Sequence, residues 1–250
     1  MNKSFRAEWV KAGYGSVMGS AEVVLPPPPE FIRVYHLLAL KHAESDIVLR
    51  RLKVARFADL NDPFELLALS FKELAVERIV REFKIKYHEH TGLLCFSADW
   101  TNPVLWSHYA DNHRGVCLGF DLRRSRAEAV RYEDERILAQ LGDPPDPLNL
   151  DDNLQRLLLR TKFRHWEYES EYRVFVPLED AIPEGGSYFV PFGPDLQLRE
   201  VVLGPLCTRP LDDLRALTHA SCPHASVIKG RLASKFFKVV PDEATVPVLA

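Results

Sequence analysis

The sequence predicts an α+β fold: a mainly antiparallel split sheet with flanking helices. Three observations point there: short strand-like runs, amphipathic helical stretches set irregularly among them, and no repeating β-α rhythm. A doubly wound parallel fold needs strands and helices in regular alternation, which this chain lacks. At 250 residues the chain is long enough to close a substantial core. Residues 1–30 read as an N-terminal arm, because they end in four prolines, Pro26 to Pro29, that no helix interior or central strand accepts. Residues 31–250 read as one globular domain, since no Gly/Ser linker and no internal repeat divides them.

Taken in order, FIRVYHLLAL is a strand passing into a helix over about Lys41 to Arg50, and LKVARFA is a second short strand. In LNDPFE, Asp62 is an N-cap acceptor, Pro63 a first-turn residue and Glu65 a third-position acid, the start signal of a helix running through about Lys84. GLLCFSADW is a buried strand. NPVLWSHYADNHRG is a helix with Gly115 as its C-terminal cap, and VCLGFDL is the next strand. Residues 133–150 form a loop rich in Pro and Asp. DDNLQRLLLRTKFR sets Leu154, Leu157, Leu158 and Phe163 at helical spacing. GGSYFVPF, REVVLGPL, a helix from Leu211 to about Ala220, and the strand-like runs SVIKGRL and FKVV complete the chain.

Bulk chemistry narrows the function classes. With 32 basic and 35 acidic residues the net charge is -3, which argues against a basic nucleic-acid footprint over the whole molecule. Cys95, Cys117, Cys207 and Cys222 form no CxxC pair, so reduced core cysteines in a cytoplasmic protein are expected. No apolar run approaches the ~20 residues of a membrane span, so no membrane partner is expected. GxGxxG, GxxxxGK[ST] and GxSxG are all missing, which argues against a Rossmann cofactor site, a Walker phosphate loop and a serine-nucleophile elbow.

Four segments carry candidate chemistry. His88-Glu89-His90 would put two imidazoles on one side of a strand, but no further ligand lies at metal spacing, so no metal is expected. His36, in VYHLL, is either a satisfied core residue or a functional imidazole. In WSHYADNHRG, Trp106, Tyr109 and His113 share a helix face that either packs on the core or stacks a planar ligand. In KFRHWEYESEYRVF, Glu167, Glu169 and Glu171 precede the apolar run Val174 to Val176, flanked by Lys162, Arg164, His165 and Arg173. That is either a solvated acidic edge or a mixed-charge cluster that drives carboxylate pKa values apart.

In order, YH in the first strand, NDPFE, CFS, WSHYADNHRGV with FD after it, KxxxWxYExEYR and EVVLGP resemble the bacterial DUF2971 family, over about Arg33 to Val240. That family is in turn similar, at a distance, to ADP-ribosyltransferase-type folds. The resemblance implies an NAD cleft between two parts of a split sheet. His36 would hold the nicotinamide end with Tyr35 beside it, and Trp106 or Tyr109 would stack the ring. Ser97, in Cys95-Phe96-Ser97, is the one serine near the place of the fold's STS motif. Glu169-Ser170-Glu171 would be the ExE pair, with Glu171 as the catalytic carboxylate and Glu169 orienting or deprotonating an acceptor. Arg173, with Trp166, would brace the glutamates beside the cofactor-binding groups. The implied activity is cleavage of NAD at the nicotinamide–ribose bond, with transfer to a macromolecular acceptor, as in a toxin-like or phage-defence effector. A non-catalytic nucleotide- or protein-binding immunity module is the alternative, and a metal-dependent hydrolase is least favoured for want of a compact ligand set.

Overall fold

The computed structural model describes residues 25–62, 64, 69–70, 74–138 and 152–245. Its elements are β1 (Phe31–Leu38), α1 (Leu40–Leu49), β2 (Arg51–Val54), β3 (Leu69–Ser70), α2 (Leu74–His90), β4 (Thr91–Ser97), α3 (Pro103–Tyr109), β5 (Val116–Arg123), β6 (Glu128–Ala129) and β7 (Arg131–Glu133). There follow β8 (Ile137–Leu138), α4 (Asp152–Arg160), β9 (Thr161–Phe163), β10 (Glu171–Pro177), β11 (Ile182–Glu184), β12 (Ser187–Pro191), β13 (Leu196–Leu203), α5 (Leu211–Ser221), β14 (Ser226–Leu232) and β15 (Val239–Pro241). The expected arm lies largely outside the described residues.

Eight strands make one large sheet in the order β15-β14-β13-β5-β1-β4-β10-β6. Six of its seven junctions are antiparallel, but β13 and β14 run parallel, so the sheet is mixed and not simply antiparallel. The reason is α5: a helix between two neighbouring strands is the crossover that parallel pairing needs. The short pairs β3–β8 and β7–β9 are also parallel.

Alternation along β1, β4, β5 and β10 gives the sheet two apolar faces. Val34, Phe96, Leu118, Phe120 and Val174 join Ile47 of α1 and Leu214 of α5 in the larger core. Leu37, Cys117 and Val202 face the other way and pack with Trp100, Leu105 and Trp106. Burying each such large apolar side chain contributes about 1.5–3 kcal/mol.

The sheet is not evenly stitched. β1 pairs with β5 through eight registered positions, and β4 with β10 through seven. Between β1 and β4 the registered pairing is Tyr35↔Ser97 alone. This thinly paired junction is a seam within one continuous sheet.

Several local expectations are corrected. α2 runs Leu74–His90, so His88 and His90 lie on a helix, where residues two apart face different ways. Asp62 accepts a hydrogen bond from the Phe64 amide at 2.9 Å as in a turn, while Pro63 and Glu65 lie outside the described residues. α3 stops at Tyr109, short of Gly115, because Asp111, Asn112 and His113 take left-handed backbone angles. Asp, Asn and His are the non-glycine residues that accept this conformation best. Gly115 does not cap the helix; a Cβ there would stand 2.2 Å from the Leu38 carbonyl oxygen, so its role is close approach to β1.

Candidate functional site

The seam between β1 and β4 opens into a cavity of about 220 Å³. Tyr35, His36 and Leu37 of β1 face Cys95, Phe96 and Ser97 of β4 across it, and Glu171 and Arg173 of β10 stand behind. Lys162 of β9, Glu169, and Leu105 and Tyr109 of α3 form one side; Asp59, Leu60 and Asn61 after β2 form the other. Of the sequence-nominated residues, Tyr35, His36, Ser97, Tyr109, Glu169, Glu171 and Arg173 all line this one cavity.

The ExE pair is built from two elements. Residues Arg164–Glu169 form a 3-10 helix that brings Glu169 to its last position, and Ser170 turns the chain through left-handed angles (φ 45°, ψ 50°). β10 then starts at Glu171. Glu169 therefore lies just before the strand, and Glu167 is exposed outside it. The edge is not solvated, for Glu169 and Glu171 are only 5% and 6% exposed. Burial on this scale demands partners.

Those partners are specific. The Arg173 guanidinium donates to both oxygens of Glu171, at 2.9 and 3.1 Å, and to the Leu159 carbonyl at 2.8 Å. Lys162 donates to Glu169 at 2.6 Å and to Glu171 at 3.4 Å, and its ammonium lies 4.7 Å from the Trp166 ring centroid. The Tyr109 hydroxyl donates to the other Glu169 oxygen and accepts from the Asn61 amide at 2.6 Å. The Tyr132 hydroxyl accepts from the Glu171 backbone amide at 2.8 Å.

This arrangement separates the two acids. Burial pushes the Glu171 carboxyl up, but Arg173 and Lys162 outweigh it and hold it below the ordinary carboxylate value. Burial pushes Glu169 above that value, and Lys162 and Tyr109 offset this only in part. Burial works against the Lys162 charge, yet the two carboxylates raise its pKa to about 12. One acid is thus held toward its charged form and the other toward its protonated form, the division acid–base chemistry uses.

His36 is neutral. Burial lowers its pKa, and its Nδ1 lies 2.9 Å from the Cys95 carbonyl oxygen, a group that only accepts. Nδ1 therefore carries the proton and Nε2 the lone pair. The ring spans the seam where ladder bonds are lacking. Tyr35, Ser97 and Glu171 lie in one register row, which continues through Gly119 of β5 to Glu200 of β13. At Gly119 a Cβ would stand 2.9 Å from the Glu200 Cβ and 3.1 Å from Tyr35 Cε1. The missing side chain lets Tyr35 lean over toward Glu200.

Trp106 does not belong to the cavity. It is fully buried among Leu37, Trp100 and Val202, and its Nε1 donates to the Trp100 carbonyl at 2.6 Å. His113 leaves the shared face as well, its Nε2 lying 3.1 Å from the Ser107 hydroxyl. Tyr109 alone of the three reaches the cavity. Sequence reasoning undervalued Lys162, counted only as a flanking cation, and Asn61, set aside as part of a helix start. The one signal for Lys162 was its place at the head of KFRHWEYESEYR. Among the described residues no group of three or more His, Cys, Asp or Glu side chains is placed to hold a metal ion. Nor is any helix there long and apolar enough to cross a membrane.

Residues 105–174, from α3 into the middle of β10, match the model of a family described as Protein of unknown function (DUF2971). No curated protein and no solved structure matches the chain at a significant level.

Proposed function

We propose, from the premise that the chain carries the DUF2971 segment at residues 105–174, that the seam cavity binds the nicotinamide–ribose end of NAD and cleaves the bond between them. The supporting observation is convergence: His36, Tyr109, Glu169 and Glu171 meet at one opening in the sheet, with the two acids held at opposite pKa shifts. At about 220 Å³ the cavity suits a ring and sugar, while pockets for whole drug-sized ligands run to roughly 300–1,000 Å³. In this reading the C1′–N bond breaks, its electron pair leaves with neutral nicotinamide, and positive charge develops on the ribose. Glu171 stabilises that charge and holds a ribose hydroxyl, which replaces its longest contact, Lys162 at 3.4 Å. An acceptor oxygen or nitrogen bonds to C1′ and gives its proton to Glu169. Tyr109 stacks on the departing ring, and His36 offers Nε2 as an acceptor to its amide.

The test is incubation of the purified chain with NAD labelled in the nicotinamide ring. Release is expected from the wild type and a fall of about 10²-fold or more in Glu171→Gln. Equal release from both proteins overturns the proposal. A second reading has its own support: both Glu171 oxygens are already engaged by cations, which suits recognition without turnover. Calorimetric binding of NAD with no nicotinamide release selects it.

A further inference from the structure

A second concavity, of about 310 Å³, lies on the far side of β5 from the seam. Three residues with basic side chains, from three separate elements, line it: Arg50 at the end of α1, Arg199 of β13 and His224 after α5. No carboxylate lines it. This is unusual on a chain with net charge -3 and more acids than bases.

Each arginine is placed by a local irregularity. Arg50 takes left-handed angles, φ 51° and ψ 50°, which a non-glycine residue adopts at a cost of about 1–2 kcal/mol. Its carbonyl accepts from the Phe192 amide at 2.7 Å, which fixes this turn beside the groove. Among the described residues the Arg50 guanidinium forms no ion pair. Arg199 is the residue left over where the β13–β5 register shifts between Leu198 and Glu200, and such bulges re-aim a side chain. It donates Nε to Asp121 at 3.0 Å and Nη2 to Gln197, which orients the guanidinium and leaves Nη1 donors available. His224 is exposed at the rim. Between these three residues the walls are apolar, from Phe192 and Leu198.

We infer that this groove is a binding site for a small organic phosphate, its phosphate held by Arg50, Arg199 and His224 and its apolar body laid on Phe192 and Leu198. Guanidinium forks match phosphate oxygens in geometry and charge. The volume is at the lower end of small-ligand pockets. The site is separate from the seam cavity, so it stands whether or not NAD is cleaved there.

The test is calorimetric titration of the full chain with phenyl phosphate and, separately, with inorganic phosphate, at constant ionic strength. Phenyl phosphate is expected to bind more tightly, because only it covers the apolar wall. Arg50→Ala and His224→Ala, both changes at exposed positions, should each weaken it, Arg50→Ala by about tenfold or more. Glu171→Gln should leave it unchanged, which separates this site from the seam. Circular dichroism confirms that the variants are folded. No binding by the wild type overturns the inference, and so does equal affinity in Arg50→Ala. Loss of binding in Glu171→Gln would also overturn it, by moving the ligand to the seam.

Discussion

Removing the Lys162 ammonium leaves two buried carboxylates side by side, with Arg173 committed to one and only the Tyr109 hydroxyl at the other. Lys162→Met keeps the length of the side chain and removes its charge, so it should cost about 3–5 kcal/mol near neutral pH, as breaking a buried pair does. The pH dependence carries the sign. In the wild type the depressed Glu171 contributes stability that is present above the ordinary 4.5 and is lost as pH falls through its folded value. In Lys162→Met the Glu169 carboxyl rises further above its unfolded value while Arg173 still holds Glu171, so the Glu169 contribution is greatest in acid and is lost as pH rises. Urea unfolding across about pH 4 to pH 8 should show the variant's deficit shrinking toward acid; a constant deficit would refute the shared-cation role. Trp106→Phe makes the complementary case. It removes a buried donor and some volume, so a loss of about 1–3 kcal/mol in unfolding free energy is expected, with ligand affinity at the seam unchanged.

Among the elements, β5 and β13 set how far Tyr35 leans away from the seam, toward Glu200. Gly119→Ala puts a methyl where Tyr35 Cε1 and the Glu200 Cβ now approach, and overpacking of this kind costs typically about 1–3 kcal/mol. Chemical denaturation should show that loss, and NAD affinity should fall with it as Tyr35 is displaced. Strands were the most legible elements, because two-residue alternation fixes which side chains share a face: Glu171 and Arg173 fall together on β10 as the sequence implies. Helix ends were less legible. The stop after Tyr109 depends on three successive left-handed residues, Asp111 to His113, and on Gly115 fitting against β1, a contact across the fold that no local signal carries. The same holds for Trp106: its helical spacing with Tyr109 was visible, but which face met the core depended on where β1 and β5 lay.

For the molecule as a whole, the pieces of the parallel unit β13–α5–β14 were visible in order, yet the mainly antiparallel sheet expected did not single out this pair as parallel. A helix between two neighbouring strands decides their direction, and which strands are neighbours is a property of the assembled sheet. The cysteine expectation concerns this scale too. None of the four cysteines forms a disulfide, and Cys117 and Cys207 are buried, so added reductant should leave Tm unchanged by calorimetry. A drop of several degrees would mean a disulfide contributes in solution.

The seam between β1 and β4 has one more consequence. A sheet with eight registered pairs on one side of a joint, seven on the other and one across it is mechanically two plates on a narrow bridge. Anything seated there and bonded to both His36 and Glu171 becomes a rung between the plates. Occupancy then stiffens the whole sheet, where a ligand clasped by a surface loop would stiffen only that loop. Ligand-induced slowing of amide exchange would reach through β5 on one side and β10 on the other, far beyond the residues that touch the ligand.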